Sequence, residues 1–311
     1  MSPAPLVSAI IPTFNRAAYV ARAIDSALAQ TWPNVEVVVC DDGSTDNTTE
    51  VLAQYGNRIR VVSQTNQGLS AARNTAIKAS SGEFLALLDD DDEWLPERLA
   101  IQMPLMLDNP DAGLVGGGAV LIDAAGNQLP RQGPARTGVE HVAFKAFFPA
   151  NRITCPTALI RRSIMDSVGA FDTTLPYAED YDMWLRIAAG HQVSIVPQKV
   201  ARYRIWHGNK SGERNADIAL WVECHLRIRE RCLLEYPALR DLPPRMLEAH
   251  CFRHFRFVAR HRRGQGDIAG AANFEERSRR LQQLCGVSAF QAGLHRGLHW
   301  LKRRAFPTRH P

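Results

Sequence analysis

The sequence predicts an α/β protein built on a mostly parallel sheet with helices on both faces, followed by a helical C-terminal extension. Three observations predict it. Over the first hundred residues short apolar runs alternate with segments of helical period, the pattern of βαβ units covered on both faces. Two of those runs end in carboxylates: Val35–Cys40 leads into Asp41 and Asp42, and Phe84–Leu88 into Asp89, Asp90, Asp91 and Asp92. From residue 216 onward the period is helical, broken at Pro237, at Pro243 and Pro244, and across Gly264–Gly270.

Taken in order, Val7–Ile11 reads as a strand stopped by Pro12. Thr13 or Asn15 is the expected cap of a helix reaching Gln30, with Tyr19, Val20, Ala23, Ile24, Ala27 and Leu28 on one face. Val35–Cys40 is the second strand, Thr45–Tyr55 the second helix and Ile59–Ser63 the third strand. Ser70–Ser80 and Phe84–Leu88 complete this half. Leu114–Ile122 reads as a strand entered through three glycines, Asp180–Ala189 as a helix, and Val193–Val196 and Val200–Ile205 as two late strands. The expected domains are 1–215, with halves of about 1–110 and 111–215, and a basic helical region over 216–311.

The chain has 311 residues, 45% hydrophobic and 22% charged, which excludes a disordered protein and suffices for a large core. Six cysteines form no C-x-x-C pair, so reduced structural thiols and a cytoplasmic setting are expected. Neither a secretory leader nor a spanning apolar stretch reads from the sequence. The net charge of +5 is uneven: residues 216–311 carry 18 Lys and Arg against 9 Asp and Glu, and no acid follows Glu276. Leu294, Leu298, Trp300 and Leu301 interleave with Arg296, Lys302, Arg303 and Arg304. That pattern suits a helix lying on an anionic membrane surface or one packed on the first domain. Nucleic acid is not an expected partner, since the arginines show little aromatic interleaving.

In an open α/β sheet the ligand crevice lies beyond the carboxyl ends of the strands, so the two acidic clusters are expected to converge. Four consecutive aspartates repel one another unless solvent or a hard cation takes up the charge. Mg²⁺ or Mn²⁺, held by one or two carboxylates plus substrate phosphates, fits that need. The residues therefore point to a metal-diphosphate site.

The runs VSAIIPTFNRAAYVARAIDSALAQTWPNVEVVVCDDGSTDNT, NQGLSAARNTAI, GEFLALLDDDDEWLPERL and GAFDTTLPYAEDYDMWLRIA resemble the inverting nucleotide-sugar glycosyltransferases of glycosyltransferase family 2, which have the GT-A fold. The resemblance covers roughly residues 5–215. It implies that Asp42 binds the base of the donor, beside Pro12, Thr13 and Asn15, with Asp41 and Asp46 serving local turns. It places the D-x-D element on Asp89, Asp90 and Asp91, with Asp91 as direct metal ligand and Asp89 facing the ribose or the ion's water shell. Arg73 matches a position near the nucleotide; it either forks onto phosphate or pairs with Glu83 or Asp89 as scaffolding.

The resemblance also makes Asp180 the general base. Beside it Glu179 is placed to bind the acceptor and Asp182 to cap the helix, and at a helix start any of the three can serve simply as a cap. Tyr203, Arg204 and His207 resemble an element closing over the diphosphate. His207, a candidate metal ligand, sits one position later than the usual Tyr-Arg-x-His spacing. His250, His254 and His261 are expected on a solvated basic face. The implied partners are a nucleotide-sugar donor, UDP-linked by preference, and a glycan or lipid-linked acceptor. A sugar nucleotidyltransferase and a non-catalytic nucleotide-sugar-binding protein are the alternatives.

Overall fold

The computed structural model describes residues 3–130, 132–133, 137–206 and 217–287. It divides into two units, Met1–His225 and Leu226–Pro311. His207 and the segment 294–304 lie outside the described residues, and so do the readings placed on them.

The first unit opens with β1 (Val7–Thr13), α1 (Val20–Leu28), β2 (Val35–Asp41), α2 (Thr48–Ala53), β3 (Arg60–Ser63), α3 (Leu69–Ala79) and β4 (Phe84–Leu87). β1 lies between β2 and β4, β2 also pairs with β3, and all three pairings are parallel. Every residue of β1 is buried, as expected where helices cover both faces of a parallel sheet. α1 buries Val20, Ala23, Ile24 and Ala27, one side of a 3.6-residue period, in a core shared with Val7, Ile11, Val37 and Val39.

The chain continues through β5 (Glu93–Trp94), α4 (Arg98–Asp108), β6 (Ala112–Ile122), β7 (Glu140–His141), α5 (Phe144–Phe147), β8 (Leu159–Arg161), α6 (Arg162–Val168), α7 (Glu179–Gly190) and β9 (Gln192–Arg204). The sheet runs β3-β2-β1-β4-β8-β6-β9-β5, with β7 also on β9. β8 is antiparallel to both β4 and β6, whereas β6 and β9 are parallel. The resulting architecture is the GT-A type of α/β sheet with helical cover.

Several boundaries differ from expectation. β1 does not stop at Pro12 but runs through it to Thr13, which pairs with Asp41. α1 starts at Val20 because Asn15, at φ +52°, does not cap it; the Asn15 Oδ1 accepts the Thr45 and Asp46 N–H groups at 2.7 and 3.3 Å instead. The two late strands are one, β9. Its register against β6 jumps from Ile195–Gly116 to Lys199–Gly118, so the segment around Pro197, which lacks an N–H, bulges from the ladder. α4 had no sequence signal, since Pro104 interrupts its pattern.

In the second unit, the helix Ile218–Glu235 crosses the division, and helices Pro244–Leu247, Arg253–Gly264 and Ile268–Leu284 follow, parted at the expected breaks. The Asp267 carboxylate caps the last by accepting the Gly270 N–H at 2.8 Å. Phe252, Phe255, Val258, Phe274 and Leu281 are buried. His254 is also buried, contrary to its expected solvated face. Its Nδ1 lies 3.2 Å from Arg229 Nη1, and burial followed by the Arg229 charge pushes its pKa down to about 3, leaving a neutral ring. Among the described residues no group of three metal-ligating side chains forms, and no helix is long and apolar enough to cross a membrane.

Candidate active site

A cleft of about 310 Å³ opens at the carboxyl ends of β1, β2 and β4. Pro12, Thr13, Phe14 and Arg16 line it from the end of β1 onward, Asp42 from just past β2, and Asn66, Gly68, Leu69 and Ala72 from the start of α3. Asp89, Asp90, Asp91 and Tyr203 complete it. The strand ends thus bring together Pro12, Thr13, Asp42 and the D-x-D run. Asn15 is not part of the lining; it ties the β1–α1 loop to the β2–α2 loop, its own N–H donating to Ser44 Oγ at 2.9 Å.

Asp42 is buried, and both its oxygens are engaged. Oδ1 accepts the Gln67 N–H at 2.9 Å and the Gln64 side-chain amide at 2.7 Å, and Oδ2 accepts the Gly68 N–H at 2.8 Å. The carboxylate thereby satisfies backbone donors at the entry to α3, where a helix leaves its first N–H groups unpaired. Asp41 and Asp46 serve local turns: Asp41 accepts the Ser44 N–H, and Asp46 the Thr48 and Ala17 N–H groups.

Arg73 sits on the inner face of α3, fully buried. Its Nη2 donates to Asp89 Oδ1 at 2.8 Å, its Nη1 donates to Glu179 Oε1 at 3.1 Å, and its guanidinium lies 5.0 Å from the Phe171 ring centre. Of the two readings of Arg73, the scaffold geometry is present, with Asp89 rather than Glu83 as one partner; Glu83 faces Arg161 at 3.6 Å. The planar fork suits this task, since two nitrogens reach two carboxylates from segments far apart in the chain.

The acidic loop is held from beneath by Arg204, which is buried. Its Nε donates to the Asp91 carbonyl at 2.7 Å, its N–H to Asp92 Oδ1 at 2.7 Å, and its Nη2 to Glu93 Oε1 at 2.7 Å. Arg204 is therefore committed behind the loop and does not line the cleft, whereas Tyr203 does. Burial, then the neighbouring Asp91, pushes the Asp90 carboxyl up to about 7. Burial likewise raises Asp91 and, more strongly, Asp92. Crowded carboxylates in a low-dielectric loop favour protonation or a cation. Asp91, with Asp89 beside it, fits a hard divalent ion that takes its remaining ligands from phosphate and water.

α7 begins with the E-D pair. Ala178, just before it, takes the left-handed conformation at φ +62°, uncommon for a residue with a Cβ and typical of backbone held in place by its surroundings. Glu179 is buried against Arg73, and Asp182 pairs with Arg186 at 3.0 Å one turn on. The half-buried Asp180 accepts the Asn151 side-chain amide at 2.8 Å and the Tyr181 N–H at 2.7 Å. Burial, followed by the Glu179 charge, pushes its pKa up to about 7.

Sequence reasoning missed Phe14, Arg16 and Asn66 in the cleft, Asn151 beside Asp180, and Trp206. The last had a signal: at the usual Tyr-Arg-x-His spacing the position after Ile205 is Trp206. Its indole Nε1 donates to Asp91 Oδ2 at 2.8 Å.

The profile of the family described as Glycosyl transferase family 2 matches residues 8–169. The Escherichia coli UDP-Glc:alpha-D-GlcNAc-diphosphoundecaprenol beta-1,3-glucosyltransferase WfgD is 32% identical over 193 residues, 61% of this chain and 73% of that protein. Uncharacterized glycosyltransferases of Rickettsia felis and Rickettsia prowazekii are 39% and 37% identical, and the matches take in 59% and 58% of this chain. The chain spans only 31% and 58% of their lengths. Among solved structures, S. aureus TarS superposes with a TM-score of 0.66 at 21% identity, covering 90% of this chain and 50% of that one. The mannosyltransferase PcManGT from Pyrobaculum calidifontis, solved with GDP-Man and Mn²⁺, gives 0.56 at 19% identity, covering 93% and 86%. At those identities the structures establish the fold, and the sequence match over 8–169 establishes the rest: the chain belongs to glycosyl transferase family 2.

Proposed function

We propose that this glycosyltransferase is an inverting, metal-dependent enzyme that moves a sugar from a nucleotide-diphosphate donor, UDP-linked by preference, to a glycan or lipid-linked acceptor. The observation that carries the reading is Arg73, which joins Asp89 of the cleft to Glu179, the residue before Asp180. Donor-side and acceptor-side carboxylates thus share one buried cation.

In this reading the nucleotide lies along the cleft, with its base beside Asp42, Pro12 and Thr13 and its diphosphate toward Asp91. A Mg²⁺ or Mn²⁺ ion held by Asp91, with Asp89 nearby, supplies charge neutralisation for the departing diphosphate. Asp180 takes the proton of the acceptor hydroxyl, whose oxygen attacks the anomeric carbon from the face opposite the leaving group. A carboxyl held at about 7 suits this step, because a base works best with a pKa near the working pH. Asn151 and the Tyr181 N–H hold the carboxylate in one orientation. Glu179 shapes the acceptor side through its bond to Arg73.

The relative named for a diphosphoundecaprenol acceptor supports a lipid-linked acceptor here, and with it work at a membrane surface. A panel of nucleotide sugars, assayed for transfer and for slow donor hydrolysis with and without Mn²⁺, tests the reading. Asp91→Ala is expected to abolish turnover and the metal-dependent gain in nucleotide affinity. Asp180→Asn is expected to keep donor affinity while lowering turnover by roughly 10²–10⁴. Near-normal turnover of Asp91→Ala in Mg²⁺ or Mn²⁺ would refute the metal assignment, and equal loss of donor affinity in Asp180→Asn would make Asp180 structural.

A further inference from the structure

The acidic loop carries an unusual partner. Trp206 follows β9 by two residues and reaches back to the loop, its Nε1 donating to Asp91 Oδ2 at 2.8 Å across 115 positions of sequence. The indole is itself fixed on two sides: the Arg16 guanidinium lies 5.1 Å from its ring centre, and the Tyr19 ring packs at 5.0 Å. Tyr19 in turn has Arg204 over its ring at 5.3 Å, the same arginine that holds the backbone of the acidic loop. Asp91 is thus anchored through its carbonyl by Arg204 and through one carboxylate oxygen by Trp206.

We propose that Trp206 is a positioning residue for cation ligation: its N–H takes Asp91 Oδ2 and turns the carboxylate so that it meets the ion through one oxygen. The inference rests on Asp91 being the metal ligand, as proposed above. Its physical basis is general. A free carboxylate rotates about its terminal torsion and samples one-oxygen and two-oxygen ligation, whereas a donor fixed to one oxygen selects a single geometry before the ion arrives. Tryptophan suits the position because its indole nitrogen only donates and never competes for the metal, as a histidine there would. The stack under Arg16 supplies the rigidity, since a cation over an indole face is attracted by the ring.

The test measures Mn²⁺ binding directly, from the loss of the free-ion paramagnetic signal, on the full chain with UDP present. Trp206→Phe keeps a ring in the stack but removes the donor, and is expected to weaken Mn²⁺ by about 10- to 100-fold, the usual range for losing a hydrogen bond to a ligand. Trp206→Gln, which retains an N–H, is expected to recover part of that loss. Wild-type affinity in Trp206→Phe overturns the proposal; tighter binding overturns it too and makes the indole a competitor of the ion. Asp91→Ala separates the two levels: if it binds Mn²⁺ normally, the metal assignment fails, and if it does not while Trp206→Phe does, only the role of Trp206 fails. A measurement on the unaltered protein stands apart from folding of the variants. The indole N–H resonance most broadened by Mn²⁺ should stay protected from exchange in Mg²⁺ and UDP, and its release would overturn the proposal.

Discussion

Replacing Arg73 with Leu removes the cation that bridges Asp89 and Glu179, and its cost follows from burial. Arg73 is fully buried and Glu179 is 7% exposed, so the variant leaves Glu179 in a place where water cannot replace the lost partner. Breaking a buried ion pair by deleting one member costs about 3–5 kcal/mol, because the surviving charge keeps its desolvation penalty. For a folded unit of this size each kcal/mol moves the melting midpoint by roughly 2–4 °C, so Arg73→Leu should melt roughly 6–20 °C lower. The assay is thermal and urea unfolding followed by circular dichroism. Adding Glu179→Gln should recover much of the loss, since an amide carries no charge to strand, and the resulting double-mutant cycle isolates the pair. High salt should change the wild-type value little at this site, because buried pairs are poorly screened. A loss below about 1 kcal/mol in Arg73→Leu, or strict additivity with Glu179→Gln, would refute the bridge and the argument built on it.

Three further outcomes follow from the geometry. With the Asp180 carboxyl at about 7, turnover should climb with pH through that value as the base loses its proton. Asn151→Ala, which removes a hydrogen bond favouring the charged form, should move the climb to higher pH; a profile flat from pH 5 to 8 would exclude Asp180 as the base. The same raised value has a stability sign: the folded form holds an extra proton, so the Asp180 contribution is full below the ordinary carboxylate range and is lost as pH rises through about 7. Asp180→Asn should remove that part of the pH dependence of the urea midpoint. Gly82→Ala would set a Cβ 2.5 Å from Ser8 Oγ and 2.7 Å from the Ser8 backbone nitrogen, and should cost about 1–3 kcal/mol in urea unfolding; a neutral result would show that β1 yields there.

What the sequence by itself determined was local. The strands β1 to β4 and the helices between them come from hydrophobic period, which each segment carries alone, and the loops rich in aspartate follow from where those strands end. The E-D pair at the head of α7 was legible only through the family resemblance, since period marks the helix and not the role of its first carboxylates. The tertiary structure alone decided the partners. Arg73 could have faced a phosphate or a carboxylate, and only folding set its guanidinium between Asp89, 16 positions away, and Glu179, 106 away. Asn151 has no local mark of its bond to Asp180, and the spacing that points to Trp206 does not name Asp91 as its partner. Asn15 reads as a helix cap until the neighbouring loop offers it better donors, and His254 reads as solvated until the helices of its unit close over it. Period reports which face of an element is apolar, whereas a hydrogen bond depends on distances of a few ångströms between segments the period does not connect, so the machinery of the site is settled only when the sheet brings those segments together.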